Sequence, residues 1–318
     1  MFDLKDVTVC FQSESNILAV DHVSLSMEEG SKTAIIGETG SGKSVLLLAI
    51  LGLLPKNAAV SGNILLDGED LLKADKKRIR EIRGGIISYV PQGGGASMNP
   101  LLKVGFQVGE PLMEHRGYSK KAAEKDSIGL LKRFNVGNEE KIAKAYPHML
   151  SGGMRQRAMV AMGISAGPRI ILADEPTKGL DERRIRMVAD ALNQLKEETL
   201  LCVTHDMKFA KAVGDKISVM YAAQQLEYGT AAQVLEHPLH PYTQDMIRAM
   251  PENGMKCEGT GFALSHTEYE AETGCRYRKR CAQCREICKK VPPVIEFDGH
   301  RVRCWKYAAD NGKTDQTI

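Results

Sequence analysis

A glycine-rich run near the N-terminus constrains the fold of this chain more than any other feature. The run reads Gly37-Glu38-Thr39-Gly40-Ser41-Gly42-Lys43-Ser44, with a short apolar segment at 33–36 before it and a longer one at 45–54 after it. This order is typical of a buried strand, a tight turn and a helix whose first N–H groups surround a phosphate group. The run therefore predicts a phosphate-binding loop. A chance match in a glycine-rich turn is the alternative, and the flanking segments disfavour it.

The residue types in this loop suit a nucleotide bound together with a metal ion. Glycines let the backbone turn inward without Cβ clashes, Lys43 can neutralise β- and γ-phosphate oxygens, and the Ser44 hydroxyl can ligate Mg²⁺. We therefore predict that ATP and Mg²⁺ bind here. The predicted ATP-binding residues of this segment are Gly37, Glu38, Thr39, Gly40, Ser41, Gly42, Lys43, Ser44 and Val45.

Apolar segments of strand length recur at 169–173 and 200–204, and helical patterns separate them. Strands that alternate with helices favour a parallel sheet with helices on both faces. Residues 3–30 and 62–68 are predicted to form further short strands, and the pattern of 101–145 is mainly helical. The sequence therefore predicts an α/β fold.

Composition disfavours two other classes of protein. The 318 residues are 43% hydrophobic and 26% charged, and a net charge of +3 is too small to indicate nucleic-acid binding. The longest apolar run, 45–54, has about half of the ~20 residues that a membrane helix needs. Acidic residues in Met1-Phe2-Asp3-Leu4-Lys5-Asp6 do not fit a signal peptide. We therefore expect a cytoplasmic chain, in which structural disulfides are not expected.

Two acidic residues, Asp174 and Glu175, follow the apolar segment at 169–173. A carboxylate at the end of a buried strand can hold Mg²⁺ through water, and the next residue points in a different direction. Taken alone, an exposed acidic pair is the simpler interpretation. His205 follows the segment at 200–204, where a lone histidine is usually structural or solvated. The phosphate-binding loop upstream favours a role at one nucleotide site.

The run Leu150-Ser151-Gly152-Gly153-Met154-Arg155-Gln156-Arg157 lies between these motifs. Ser-Gly-Gly-x-x-Gln in this position resembles the ATP-binding cassette (ABC) ATPases. The resemblance implies a P-loop NTPase fold with an ABC-type nucleotide-binding domain, a helical subdomain and an antiparallel β-subdomain. It also implies that Ser151, Gly152 and Gly153 bind the γ-phosphate of ATP held by an opposite chain, through a helix N-terminus aimed at an anion.

The same resemblance assigns roles to single residues. Glu175 corresponds to the general base, His205 to the switch histidine, and Gln92 to the Q-loop glutamine that senses Mg²⁺ and the attacking water. Asp181 matches the D-loop residue at the dimer seam, and Phe11 matches the aromatic residue that stacks on adenine, with a core phenylalanine as the alternative. The implied catalytic residues are Glu175, His205, Gln92 and Lys43, and the implied Mg²⁺ ligands are Ser44, Gln92 and Asp174.

Three later motifs resemble the ATPases of dipeptide, oligopeptide and nickel importers. They read Val219-Met220-Tyr221-Ala222, Glu227-Tyr228-Gly229-Thr230 and His237-Pro238-Leu239-His240-Pro241-Tyr242-Thr243. A shift in composition near residues 251–254 separates a domain at 1–252 from a Cys-rich C-terminal extension at 253–318. The resemblance implies that the first is an ABC ATP-binding domain with its helical subdomain at about 93–165. We predict an ATPase that powers import of di- or oligopeptides. A nickel or metal-chelate importer ATPase and a soluble, non-transport ABC ATPase are the alternatives.

The importer resemblance also implies partners and a location. The predicted partners are a second ABC ATPase subunit in a heterodimer, two membrane permease subunits and an extracytoplasmic substrate-binding protein, without nucleic acid. ATP binding closes the ATPase dimer, and hydrolysis opens it. The chain is predicted to be peripheral, at the cytoplasmic face of the cell membrane.

Six of the eight cysteines lie beyond residue 251. Spacing alone suggests zinc, because Cys281-Ala282-Gln283-Cys284 is a Cys-x-x-Cys pair. The importer resemblance instead implies a 4Fe–4S cluster on Cys275, Cys281, Cys288 and Cys304, with Cys284 as an extra thiol. Zinc or unligated thiols are the alternatives. The basic run 276–280 is interpreted as a face toward solvent or anionic lipid rather than nucleic acid.

Overall fold

The computed structural model of the chain describes residues 1–13, 16–92, 97–195, 197–250 and 273–308. The predicted domain boundary at 252/253 therefore lies outside the described residues, and so does the predicted start of the helical subdomain at residue 93.

The strands of the described residues join into one sheet. In chain order they are β1 (Phe2–Phe11), β2 (Ile17–Met27), β3 (Lys32–Ile36), β4 (Ala58–Leu66), β5 (Glu69–Asp70), β6 (Ile87–Val90), β7 (Ile170–Asp174), β8 (Thr199–Thr204), β9 (Lys216–Tyr221), β10 (Gln224–Thr230), β11 (Val294–Phe297) and β12 (His300–Arg303).

The helices of the described residues pack around this sheet or beside it. In chain order they are α1 (Lys43–Ile50), α2 (Lys76–Ile82), α3 (Val104–Arg116), α4 (Lys120–Arg133), α5 (Glu139–Lys144), α6 (Gly152–Ile164), α7 (Glu182–Asn193), α8 (Met207–Val213), α9 (Ala231–Glu236) and α10 (Pro241–Arg248). None of them combines the length and the apolar character that crossing a membrane requires.

Four strand pairings make the centre of the sheet parallel, in the order β9-β3-β8-β7-β6. Every residue of β7 and β8 is buried, as expected for strands covered on both faces. Because parallel strands end at the same edge, the segments that follow β3, β7 and β8 meet there. The predicted α/β class is thus confirmed, and this edge carries the predicted loop, acidic pair and histidine.

An antiparallel region, β5-β4-β1-β2, adjoins the parallel strands. Alternate residues of β1 and β2 are buried, which is the pattern of a sheet with one face on the core. Phe11 ends β1 and contacts the core cluster under this region. The predicted antiparallel β-region therefore delivers Phe11 to the edge of the nucleotide site.

Helices α3 to α6 form the helical region between β6 and β7. Helix α3 packs against α4, α5 and α6, and apolar residues including Val108, Leu131 and Met159 are buried in one cluster. Ser119 and Asn138 cap α4 and α5 by accepting hydrogen bonds from backbone N–H groups. This packing fixes the direction of α6, whose first residues form the Ser-Gly-Gly motif.

The described part of the C-terminal extension belongs to the same body as the ATPase sheet. Strand β12 pairs with β10, where Tyr228 faces Arg301. Arg276 is only 7% exposed, and its guanidinium bonds the Asp21 carboxylate at 2.7 Å. The interpretation of the basic run as a solvent or lipid face is therefore wrong for Arg276, because Asp21 supplies a buried carboxylate that sequence spacing cannot reveal.

Candidate functional site

Two glycines of the loop between β3 and α1, Gly37 and Gly42, could not be replaced by another residue without movement of their neighbours. At Gly37, a Cβ would lie 2.0 Å from the carbonyl oxygen of Met220, and at Gly42 a Cβ would lie 2.0 Å from that of Ala19. Gly42 also has a φ of 95°, in the left-handed region. The sequence therefore folds here into a tight turn that leads directly into the N-terminus of α1.

Lys43 folds back over this loop. Its Nζ donates hydrogen bonds to the carbonyl oxygens of Gly37 (2.8 Å) and Glu38 (2.7 Å) and to Ser41 Oγ (3.2 Å). Burial lowers the pKa of Lys43, and the carboxylates of Glu175, Asp174 and Glu38 oppose that fall. The loop thus holds a cation at the N-terminus of a helix, where phosphate groups bind.

Two of the three predicted Mg²⁺ ligands, Ser44 and Asp174, touch each other. Ser44 Oγ donates to Asp174 Oδ1 at 2.9 Å, and Tyr89 OH donates to Asp174 Oδ2 at 3.1 Å. Asp174 is 2% exposed, and burial together with Asp174 raises the pKa of Tyr89. Tyr89 therefore stays protonated and fixes the carboxylate, a role that sequence reasoning missed. Hydroxyl and carboxylate oxygens are ligands that suit Mg²⁺.

Glu175 and His205 form the second short contact of the site. His205 Nδ1 lies 2.7 Å from Glu175 Oε2. The backbone of Glu175 has a φ of 48°, which is uncommon for a residue other than glycine. The Asp174 carboxylate bonds Ser44 and Tyr89, whereas the Glu175 carboxylate contacts His205. Left-handed residues of this kind concentrate at functional sites.

A cavity of about 550 Å³ brings most of the predicted residues together. Phe11 lies on its wall while also packing on the core, so the two interpretations of this residue are compatible. The cavity is lined by Phe11, Ile17, Ala19, Thr39, Gly40, Gly42, Lys43, Ser44, Val45, Gln92, Glu175, Lys178 and His205. The lining therefore combines an aromatic ring with a cationic side chain, the two kinds of group that contact the base and the phosphates of a nucleotide.

The Ser-Gly-Gly motif and Asp181 lie outside that lining. Ser151 caps α6 by accepting a hydrogen bond from the Met154 N–H (3.3 Å), and both Ser151 and Gly152 are exposed, whereas Gly153 is buried. Asp181 caps α7 by accepting from the Arg184 N–H (3.0 Å). The chain therefore presents a helix N-terminus with a free approach, apart from its own nucleotide cavity.

Two contacts from the C-terminal half reach the phosphate-binding loop, and sequence reasoning missed both. Tyr242 OH accepts a hydrogen bond from the Glu38 N–H at 3.1 Å, and Arg280 pairs with the Glu38 carboxylate at 2.9 Å. Tyr242 belongs to a motif that signalled the importer resemblance, and Arg280 precedes Cys281. The sequence drew attention to the segments around both residues, but it gave no sign that either residue contacts Glu38.

The four cysteines predicted as cluster ligands converge on a second cavity, of about 220 Å³. Cys275, Cys281, Cys288 and Cys304 line it, whereas Cys284 is exposed and outside its lining. Burial raises the pKa of the Cys275 thiol to about 12 and that of Cys281 to about 11. Among the described residues, no group of three or more His, Cys, Asp or Glu side chains is arranged to hold a metal ion. A zinc ion or an iron–sulfur cluster at these four cysteines therefore stays a prediction.

Comparison with known proteins supplies the family. A family model described as ABC transporter matches residues 20–178, and a model described as Oligopeptide/dipeptide transporter, C-terminal region, matches residues 226–288. The oligopeptide transport ATP-binding protein OppD of Escherichia coli (strain K12) is 35% identical over 315 residues, which cover 96% of this chain and 93% of that protein. The dipeptide transport ATP-binding protein DppD of Bacillus subtilis (strain 168) is 36% identical over 302 residues, which cover 91% and 89%.

The fold matches a solved structure of the same kind. The structure described as a dimeric post-hydrolysis state of the ATP-binding cassette MJ0796 bound to ADP and Pi has a TM-score of 0.66 and 30% identity. The match covers 73% of this chain and 99% of the MJ0796 chain. The chain therefore belongs to the ABC transporter ATP-binding proteins, in the group that carries the oligopeptide/dipeptide transporter C-terminal region.

Proposed function

We propose that this chain hydrolyses ATP in the 550 Å³ cavity and thereby powers import of di- or oligopeptides. One observation carries the proposal: Ser44 contacts Asp174 and His205 contacts Glu175, and Ser44, Glu175 and His205 line the same cavity as Lys43. The first contact gathers the oxygens that suit Mg²⁺, and the second orients a base. The names of the OppD and DppD relatives supply the class of solute.

The residues divide the reaction between binding and proton transfer. Mg²⁺, when held by Ser44, Asp174 and Gln92, neutralises phosphate charge. Lys43 and the N–H groups of the loop bind the β- and γ-phosphates, and Phe11 stacks on adenine.

Glu175 accepts a proton from the water whose oxygen attacks the γ-phosphorus. The bond from that phosphorus to the β–γ bridging oxygen breaks, which releases ADP and phosphate. His205 holds the Glu175 carboxylate in the direction of that water.

A dimer completes the site in this proposal. Ser151 and Gly152 are exposed at the N-terminus of α6 and lie outside the cavity of their own chain. A helix N-terminus binds an anion such as a terminal phosphate, so these residues suit a nucleotide on an opposite ATPase subunit, with Asp181 at the seam. The matching cassette structures are described as dimeric, and we propose a heterodimer with a second ATPase.

The membrane components are proposed to dock on the helical region. Leu101, which lies three residues before the first residue of α3, is 82% exposed, and Met149, which precedes α6, is exposed as well. Apolar side chains are common in the buried core of protein interfaces. We propose two permease subunits above this region, fed by an extracytoplasmic substrate-binding protein, with the chain peripheral at the cytoplasmic face.

Reconstitution tests the transport proposal. The chain, a second ATPase and two permease subunits are placed in vesicles with a binding protein, and uptake of labelled dipeptide is measured with and without ATP. We expect ATP-dependent uptake that the variant Glu175→Gln abolishes. Uptake of nickel without peptide would support the metal-importer alternative, and hydrolysis independent of permeases would support the soluble one.

We also propose a 4Fe–4S cluster in the four-cysteine cavity. Thiolates are the usual ligands of such clusters, and these four line one space, whereas a zinc ion needs all its thiolates at about 2.3 Å from one point. Anaerobic purification should give a brown protein with iron and sulfide. Cys288→Ser should lose the iron and Cys284→Ser, the exposed control, should keep it; a colourless protein with one zinc ion would contradict the proposal.

A further inference from the structure

A carboxylate belongs to the phosphate-binding loop itself. Glu38 is the second residue of the glycine-rich run, and its carbonyl oxygen accepts a hydrogen bond from Lys43 Nζ. An unpaired negative charge at this point would repel a triphosphate and compete for Lys43.

Arg280 of the cysteine-rich extension meets that carboxylate. Its Nη1 donates to Glu38 Oε1 at 2.9 Å and to Oε2 at 3.1 Å. The two side chains are 21% and 34% exposed, so solvent screens the pair only in part. The contact joins residues 242 positions apart.

Aromatic rings hold the Arg280 guanidinium in place. It lies 5.6 Å from the ring centre of Tyr221 and 5.5 Å from that of Tyr277. Tyr221 and Tyr277 pack edge to face, and both contact Tyr242, whose OH accepts from the Glu38 N–H. Tyr277 of the extension thus packs against the tyrosine that contacts the main chain of Glu38, and Arg280 contacts the Glu38 side chain.

We propose that Arg280 neutralises the Glu38 carboxylate and so raises the affinity of the phosphate-binding loop for ATP. Arg280 is a positioning residue, because it acts on the nucleotide through Glu38. The proposal rests on the assignment of this loop as the ATP site. It makes the cysteine-rich extension a functional part of the nucleotide site.

ATP affinity of the full-length chain, measured by calorimetry without Mg²⁺, tests the inference. Arg280→Gln should weaken ATP binding roughly 5- to 30-fold, because Glu38 then repels the phosphates. Adding Glu38→Gln to that variant should restore affinity to within about threefold of the unmodified protein, since the unmatched charge is gone. High salt should shrink the defect of the single variant.

Controls separate charge from structural damage. Lys289→Gln breaks an exposed ion pair with Glu286 in the same extension and should leave ATP affinity unchanged. Damage to the fold would not be relieved by Glu38→Gln, so an unrelieved defect overturns the inference, as does normal affinity in Arg280→Gln. If Arg280→Gln does not fold, Glu38→Gln alone decides: Arg280 then faces the loop as an uncompensated cation, so ATP should bind more tightly than to the unmodified protein, and binding that is no tighter overturns the inference. Lys43→Ala reports on the loop assignment separately: normal ATP binding there rejects the ATP site itself.

Discussion

The nucleotide cavity and the four-cysteine cavity are built in opposite ways. In the first, charged groups already have partners: Lys43 bonds carbonyl oxygens, and Asp174 accepts from Ser44 and Tyr89. In the second, burial holds thiols such as Cys275 in their protonated form by raising the pKa. The first cavity is thus organised before its ligand arrives, whereas ligation in the second must displace protons. We therefore expect single substitutions at the nucleotide cavity to affect ATP binding and ATP hydrolysis separately.

The largest expected effect at the nucleotide cavity comes from Glu175→Gln. Loss of the general base should lower ATP turnover by ~10²–10⁴ while ATP binding persists, because Lys43 and the loop are unaffected. Steady-state hydrolysis and ATP binding are measured on the same preparation. Glu182→Gln is the matched control, since Glu182 is exposed, accepts a hydrogen bond from Arg186 on the same helix and does not line the cavity. Near-normal hydrolysis by Glu175→Gln would remove the base from the mechanism.

A second variant tests how strongly the C-terminal extension, which carries the four-cysteine cavity, is attached to the ATPase sheet. Arg276→Ala leaves Asp21 buried without its guanidinium partner, and we expect the free energy of unfolding to fall by about 3–5 kcal/mol. Chemical denaturation of the full chain measures this loss. Lys289→Ala, which removes an exposed pair in the same extension, should change stability by less than about 1 kcal/mol. Equal stability of both variants would show that the extension is attached by other contacts.

Arg276 and Arg280 of the extension mark the limit of what the sequence could predict. The loop at 37–44, the Asp174–Glu175 pair and His205 were predictable because each follows a buried apolar strand directly, and parallel strands bring such ends together. The convergence of four cysteines followed from their spacing under the family resemblance. The contacts of Arg276 with Asp21 and of Arg280 with Glu38 were not predictable, because their partners lie more than 200 positions away. A basic run carries no local sign that its members are buried.

A smaller effect is expected from Phe11, which lines the nucleotide cavity. Phe11→Ala should weaken ATP binding about tenfold, because base stacking contributes roughly 1–3 kcal/mol. Phe11→Leu is the control, since it keeps apolar packing against the core but removes the aromatic face. A loss in the alanine variant that leucine fully restores would reduce Phe11 to a core residue.

The smallest effect should come from Tyr89→Phe, which removes the hydroxyl that donates to Asp174 Oδ2 and changes little else in shape. One hydrogen bond contributes about 0.5–1.5 kcal/mol, so turnover should fall roughly threefold. The Mg²⁺ concentration needed for half-maximal hydrolysis should rise, because Asp174 is held less firmly, while ATP affinity without Mg²⁺ stays constant. This result would show that loss of the hydrogen bond from Tyr89 to Asp174 affects Mg²⁺ binding and leaves ATP binding intact. If ATP affinity without Mg²⁺ fell as well, the phosphate loop and the Asp174 carboxylate would form one cooperative unit rather than two.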